Sequence, residues 1–331
     1  MKSLYAATVL IFLFASCKDE EPSGSQYIIV NQVSGHGNFS LYDYPDDRLT
    51  ENFYTIDSDV ASRIYQANRN GNDVFIATDD SPGKLRKVDL TTGTQIKEVT
   101  AWFQFWPYYT PIIDFHNTNV IMCAGLADAT ASSYEFYVKI YDENLSLQDS
   151  IPVENYIEGA KVAKDKLFCS LSPTPDSHFI KVMDLSTLTF IKSIEIPERC
   201  SQLIPMGNNQ LLGIHYRGFF ILDTESLEIV KSTEVFITSN HVALNESENV
   251  LYYLQIAAQP SPVPYILSKL NLSNGESSYI TGVHDMIVGP ITYDKKAKVI
   301  VSGGGLKIFS TDGEVLKVVE LPANTSHIFI K

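Results

Sequence analysis

The stretch NDVFIATDDSPGKLRKVDLTTGTQIKEV, residues 72–99, decides the fold. It opens with a short, almost unbroken apolar run, the pattern of a strand buried on both faces. The polar loop TDDSPG follows, then a second run, LRKV. A turn built on Asp89 and Gly93 leads to a third run, QIKEV, whose alternation suits a half-exposed outer strand. Three strands in 28 residues, with turn chemistry between them, describe most of one antiparallel sheet.

The same grammar recurs along the chain. NVIMCAG leads to YVKIYDENLSLQDSI, DKLFCSL to FIKVMDLSTLTFIKSIEI, and NQLLGIH to GFFILDTESLEIVKST. NVLYYLQ leads to YILSKLNLSNGESSYI, and AKVIVSG to LKIFSTDGEVLKVVEL. The first copy is QYIIVNQ with FSLYDYPDDRLTENFYTI. The turn anchors are Asp43, Asp89, Asp142, Asp184, Asp223, Asn271 and Ser310, a mean period of about 44 residues. Multi-strand repeats of this length are the signature of propeller blades. Asp, Asn and Ser suit the anchor because their side chains bond their own backbone in a tight turn.

A shorter strand precedes six of the units: SRIYQA, PIIDFH, GAKVA, SQLIPM, HVALN and GPITYD. The first unit lacks one, and a spare strand, Ser326 to Ile330, stands at the chain end. The reading is therefore all-β: a seven-bladed β-propeller of four antiparallel strands per blade, closed when the C-terminal strand joins the first blade. Closure removes the exposed edges that invite aggregation. Two smaller β-sandwiches are the other arrangement compatible with the strands, but no linker-like break in composition divides the chain. No apolar pattern at helical spacing persists over eleven residues, which disfavours Rossmann, TIM-barrel and α/β-hydrolase enzymes.

Composition agrees with a folded β protein. Of 331 residues, 44% are hydrophobic and 19% charged, with 18 Tyr and 17 Phe against 2 Trp. The net charge of −14 argues against a nucleic-acid partner. The chain begins Met1-Lys2, runs apolar over residues 4–14, and reaches the small pair Ala15-Ser16 before Cys17. That run is too short to span a bilayer and fits a secretory signal peptide. LFASC, residues 13–17, resembles the lipobox of bacterial lipoproteins, with Phe14 where Leu is usual. The resemblance implies cleavage before Cys17 and lipidation of that cysteine.

Lys18-Asp19-Glu20-Glu21 resembles the export signal of Bacteroidetes-type surface lipoproteins. It implies an outer-membrane lipoprotein displayed on the cell surface; a plain solvated linker is the alternative. The expected division is 1–16 signal peptide, 17–25 lipidated acidic linker, and 26–331 a single propeller. Cys123 and Cys169 lie in apolar runs and read as buried thiols. With Cys200, the thiols left after Cys17 are odd in number, so no disulfide framework is expected.

In such a propeller, blade-to-blade connections and second-to-third-strand loops share one face. The third-to-fourth turns here are short and uniform, whereas the second-to-third loops vary from YRG to LADATASSYE. Uniformity suits scaffold, and variation suits a working face or unconstrained drift. The connection from blade two to blade three carries Trp102, Phe103, Phe105, Trp106, Tyr108 and Tyr109, including both tryptophans of the chain. Pro107 argues against an interior strand. These rings offer flat, low-entropy contact area for a ligand, or they plug the gap between two blades.

His36, His178, His241, His284 and His327 fall in or beside connections on the same face, without metal-ligand spacing. Arg63 and Arg217 are candidate anion clamps. The candidate ligand-binding set is thus the six aromatics with Arg63, Arg217, His241, His284 and His327. Asp114 and His116 share one side of an inner strand and read as channel-lining or structural. The Asp57/Asp59 and Asp79/Asp80 pairs are poor candidates for acid–base hydrolysis. No GxSxG, HExxH, P-loop or CxxC is present, and no metal or cofactor is expected.

The whole chain resembles the YVTN/YncE-like seven-bladed propellers, best at residues 72–99. The opening YIIVNQ…GNFSLYDY also resembles surface propeller lipoproteins linked to cobalamin uptake. That resemblance implies capture of a corrinoid for a TonB-dependent transporter. With the export signal, the variable loop face and the lack of a catalytic motif, the reading is a non-enzymatic surface protein that captures a corrinoid, haem, siderophore or glycan for such a transporter. A propeller lyase or hydrolase, and a protein-binding scaffold, are the alternatives.

Overall fold

The computed structural model describes residues 25–331 apart from 34–35, 57–63, 79, 81, 102–110, 128–133, 175, 238–240, 258–264, 284–288, 304 and 322–323. The described residues form seven four-stranded antiparallel sheets. In six of them the strands pair in chain order, inner to outer. In the remaining sheet the C-terminal strand Asn324–Ile330 pairs with the first strand of the chain, Gln26–Val33, in register Ile28↔Phe329 and Ile29↔Ile328. The expected ring and its closure by the last strand are both present.

Packing explains the sequence pattern. The buried apolar residues sort into seven clusters, one in each seam between neighbouring blades. Ile28, Val30 and Phe39 of blade 1 meet Val74, Ile76 and Val88 of blade 2. Tyr27, Ile29 and Tyr42 on the other face of blade 1 meet Val299, Val301 and Ile308 of blade 7. A second strand therefore has a blade on each side and needs apolar residues at consecutive positions. That is why Asp73–Thr78 and Gln210–His215 are buried at all but their first residue. Outer strands such as Thr94–Thr100 touch solvent and carry the polar residues.

The anchors behave as their chemistry requires. Asp223 Oδ1 accepts the backbone N–H of Glu225 at 2.9 Å and of Ser226 at 2.7 Å. Asp184 does the same for Ser186 and Thr187, at 2.8 and 3.2 Å. Asp89, Asp142, Asn271 and Ser310 make matching bonds. Asp43 differs: its carboxylate accepts from Gln26 Nε2 at 2.8 Å instead. Each anchor turn also holds one left-handed residue, and in three turns that residue is leucine. Leu145 and Leu227 accept this conformation because their side chains are buried in blade seams.

Asp142, in the blade 3 turn, shows how far the fold lets these turns stay polar: Gln148 Nε2 also donates to its Oδ2 at 3.1 Å. Asn70 to Asp73 form a hairpin turn, with Gly71 at φ 59°. Among the described residues, no helix is long and apolar enough to cross a membrane.

Candidate functional site

The inner strands stand around an axial channel of about 1170 Å³. They are Asn324–Ile330, Ile64–Asn70, Ile112–His116, Ile157–Ala163, Cys200–Met206, Val242–Asn245 and Ile291–Asp294 for blades 1 to 7. Each enters from the face that carries the blade connections. Residues at their starts therefore ring one mouth of the channel, and residues at their ends ring the other. The volume exceeds the usual range for a drug-sized ligand, so the channel has room for a large one.

Glu158, Arg199, His241 and His327 stand at the connection-face mouth. The Arg199 guanidinium donates to the Glu158 carboxylate. Arg199 is mostly exposed, whereas the Glu158 side chain is only 5% exposed, so the arginine caps an enclosed carboxylate. His327 Nε2 lies 3.2 Å from Gln66 Oε1 of blade 2, and Nδ1 lies 3.2 Å from Ser326 Oγ. Its ring stacks on Phe329 at 6.3 Å. Enclosure by the channel wall, reinforced by the nearby His241, pushes the His327 pKa down to about 4. His241 is lowered by the same loss of water. Both rings are thus neutral at physiological pH and present nitrogen donors and acceptors without charge.

Deeper in the channel, Lys161 Nζ contacts Asp114 Oδ1 at 2.8 Å, and the Val162 N–H donates to Asp114 Oδ2 at 2.5 Å. Asp114 therefore lines the channel as a satisfied pair. Its predicted neighbour His116 reaches the opposite face of the ring and meets Asp165 Oδ1 at 3.0 Å. Among the described residues, no three His, Cys, Asp or Glu side chains converge closely enough to hold a metal ion.

The predicted ligand set is therefore divided. His241 and His327 come together on the channel wall. Arg217 does not join them: it stands on the second-to-third loop of blade 5, with Nε 3.4 Å from Glu198 Oε2. Glu198 also faces His178 Nε2 at 3.6 Å, while His178 Nδ1 bonds Ser172 Oγ at 2.9 Å. Asp80 is buried against Arg86, 3.0 Å away, and is a structural partner. Arg63, His284, Trp102, Phe103, Phe105, Trp106, Tyr108 and Tyr109 lie outside the described residues, as do Cys17 and the Asp57/Asp59 pair. The root of the aromatic connection is described: the buried Lys139 ammonium donates to the Ala101 carbonyl at 2.9 Å.

Glu158, Arg199 and Gln66 were missed by the sequence reading. The available signal was position, since each sits near the start of an inner strand. His215 was also missed. It is 6% exposed, neither ring nitrogen has a hydrogen-bond partner among the described residues, and burial lowers its pKa. Beside it, Tyr216 and Phe236 are both 56% exposed and meet edge to face at 4.6 Å, an apolar knob on the connection face.

No family model matches this chain, and no curated protein matches it. Solved structures do. A putative 6-phosphogluconolactonase from Bacteroides uniformis superposes with a TM-score of 0.63 at 10% identity, over 93% of this chain and 99% of that one. An uncharacterized protein from Listeria monocytogenes gives 0.58 at 12% identity, over 90% and 92%. The Kuenenia stuttgartiensis hydrazine synthase gives 0.58 at 13%, over 75% and 77%. At these identities the likeness is one of fold, and the chain is an all-β propeller of seven blades.

Proposed function

We propose that the chain is a capture protein, holding a small molecule at the connection-face mouth of its axial channel. The observation that carries this reading is the mouth itself. A channel of about 1170 Å³ opens beside two neutral imidazoles and an Arg199–Glu158 pair whose charges already compensate each other. Such a surface presents hydrogen-bonding groups and apolar wall while leaving little net charge to desolvate, which suits a large, polar, largely preorganised ligand. A corrinoid, haem, siderophore or glycan has that character. The leader, Cys17 and the acidic residues after it support placement on the outer membrane by a lipid anchor. A TonB-dependent transporter is then the receiving partner. The rigid ring would hold the collecting face near the transporter's pore.

The enclosed Glu158 carboxylate is the one observation that favours an enzyme, a lyase or hydrolase acting on a glycan. The exposed Tyr216–Phe236 knob would favour a protein partner. Isothermal titration with a corrinoid, haem and a panel of glycans separates these readings. Saturable binding without turnover supports capture. Turnover of a glycan, or silence toward every small molecule, overturns it.

A further inference from the structure

Cys123 and Cys169 stand on second strands of adjacent blades, Asn119–Ala127 and Lys166–Thr174. Both side chains point into the seam between blades 3 and 4, packed among Val138, Leu167 and Met183. They are 3% and 0% exposed, and both are unbridged. The two side chains belong to one packed cluster, and the Cys123 thiol has Cys169 as its hydrogen-bonding neighbour. That neighbour, with burial and the nearby Asp114, holds the Cys123 thiol well above its usual range, so it is a protonated thiol in the finished fold. Cys200 is placed differently. It lies in the next seam, between blades 4 and 5, and its Sγ donates to the Gln202 carbonyl at 3.2 Å. The three described cysteines thus resolve into a pair and a single residue.

We propose that Cys123 and Cys169 form a disulfide that staples blade 3 to blade 4 when the chain folds in contact with a disulfide oxidant. One cysteine loses its proton and its thiolate attacks a sulfur of the oxidant disulfide. A mixed disulfide forms and one oxidant thiol leaves with a proton. The second cysteine, as thiolate, attacks the protein-side sulfur of the mixed disulfide, and the second oxidant thiol leaves. Two protein thiols are oxidised to one disulfide, and the oxidant disulfide is reduced to two thiols.

Burial sets the order of events. The finished seam admits no oxidant, so the exchange precedes docking of the two blades. The same burial then shields the closed bond from reductants. The staple sits behind inner strands Ile112–His116 and Ile157–Ala163, which carry the Asp114–Lys161 pair of the channel wall. It would fix that part of the wall covalently, whatever ligand the channel takes.

The full chain, unfolded and refolded in a buffer of oxidised and reduced glutathione, tests this. Free thiols are trapped with N-ethylmaleimide under denaturant, and peptides are mapped by mass. The expected result is N-ethylmaleimide on Cys200, with the Cys123 and Cys169 peptides joined and lighter by two hydrogens. Refolding in dithiothreitol should leave Cys123, Cys169 and Cys200 each labelled and lower the unfolding midpoint by on the order of 5 °C. A Cys123→Ala/Cys169→Ala variant should show no dependence on dithiothreitol. N-ethylmaleimide on both Cys123 and Cys169 after oxidative refolding, or a bridge to Cys200, overturns the proposal.

Discussion

Acidification should destabilise the ring through His327 in a defined window. The imidazole pKa falls from 6.5 to about 4 on folding. Between those values the unfolded chain binds a proton that the folded chain refuses. Stability from this group is complete above about pH 6.5 and is lost as the pH falls toward 4. The full shift corresponds to about 3 kcal/mol at 1.36 kcal/mol per unit. At pH 5 roughly 2 kcal/mol of that is lost, and water in the channel reduces it to about 1 kcal/mol. Urea unfolding of the wild type and of His327→Gln, each at pH 7.5 and pH 5, measures it. The wild type should lose about 1 kcal/mol more than the variant over that interval. Equal losses in the two proteins would show that His327 is charged or freely hydrated in the folded state, and the neutral mouth would fall with it.

Other expectations follow from the seams, the turns and the aromatic connection. Phe168 is fully buried between blades 4 and 5, so Phe168→Ala should cost about 3–5 kcal/mol in denaturant unfolding. A Cβ on Gly213 would stand 2.0 Å from the Phe220 ring, so Gly213→Ala should cost about 1–3 kcal/mol by overpacking. Backbone N–H donors hold the carboxyls of Asp89 and Asp223 below their usual range, and the Ser186 hydroxyl, with the backbone N–H groups of Ser186 and Thr187, does the same for Asp184. The anchor turns should therefore be intact above about pH 4 and lose protection from amide exchange only as the pH falls below it. Trp106→Ala should weaken ligand capture and leave the melting temperature within about 2 °C, whereas a large melting loss with unchanged binding would make the ring a plug.

The blades were legible in the sequence because inter-blade packing imposes a simple rule. A strand such as Asp73–Thr78 has a hydrophobic neighbour on each face, so its apolar run is continuous and easily seen. The anchors were legible because Asp184 and Asp223 close their turns with their own side chains, a local device. The closing strand showed itself by being surplus. The mouth was less legible. Its residues come from different blades and are brought together by the ring, so no local spacing links Gln66, Glu158, Arg199 and His327. Arg217 looked like a free cation in sequence, but Glu198, 19 residues earlier, takes it up. His215 closes an apolar run, and its burial against Phe220 was hidden by its polar identity.

The most direct test of the capture account is a titration with the channel mouth obstructed. Ser201 lines the channel and is exposed, so Ser201→Trp places a bulky ring in the passage without disturbing a blade seam. Isothermal titration of the wild type with a corrinoid, haem and the glycan panel should find one saturable ligand. The same ligand should bind Ser201→Trp at least 10-fold more weakly, a loss of about 1.4 kcal/mol or more, with an unchanged melting temperature. Unaltered affinity in Ser201→Trp would place the site away from the channel and contradict the account.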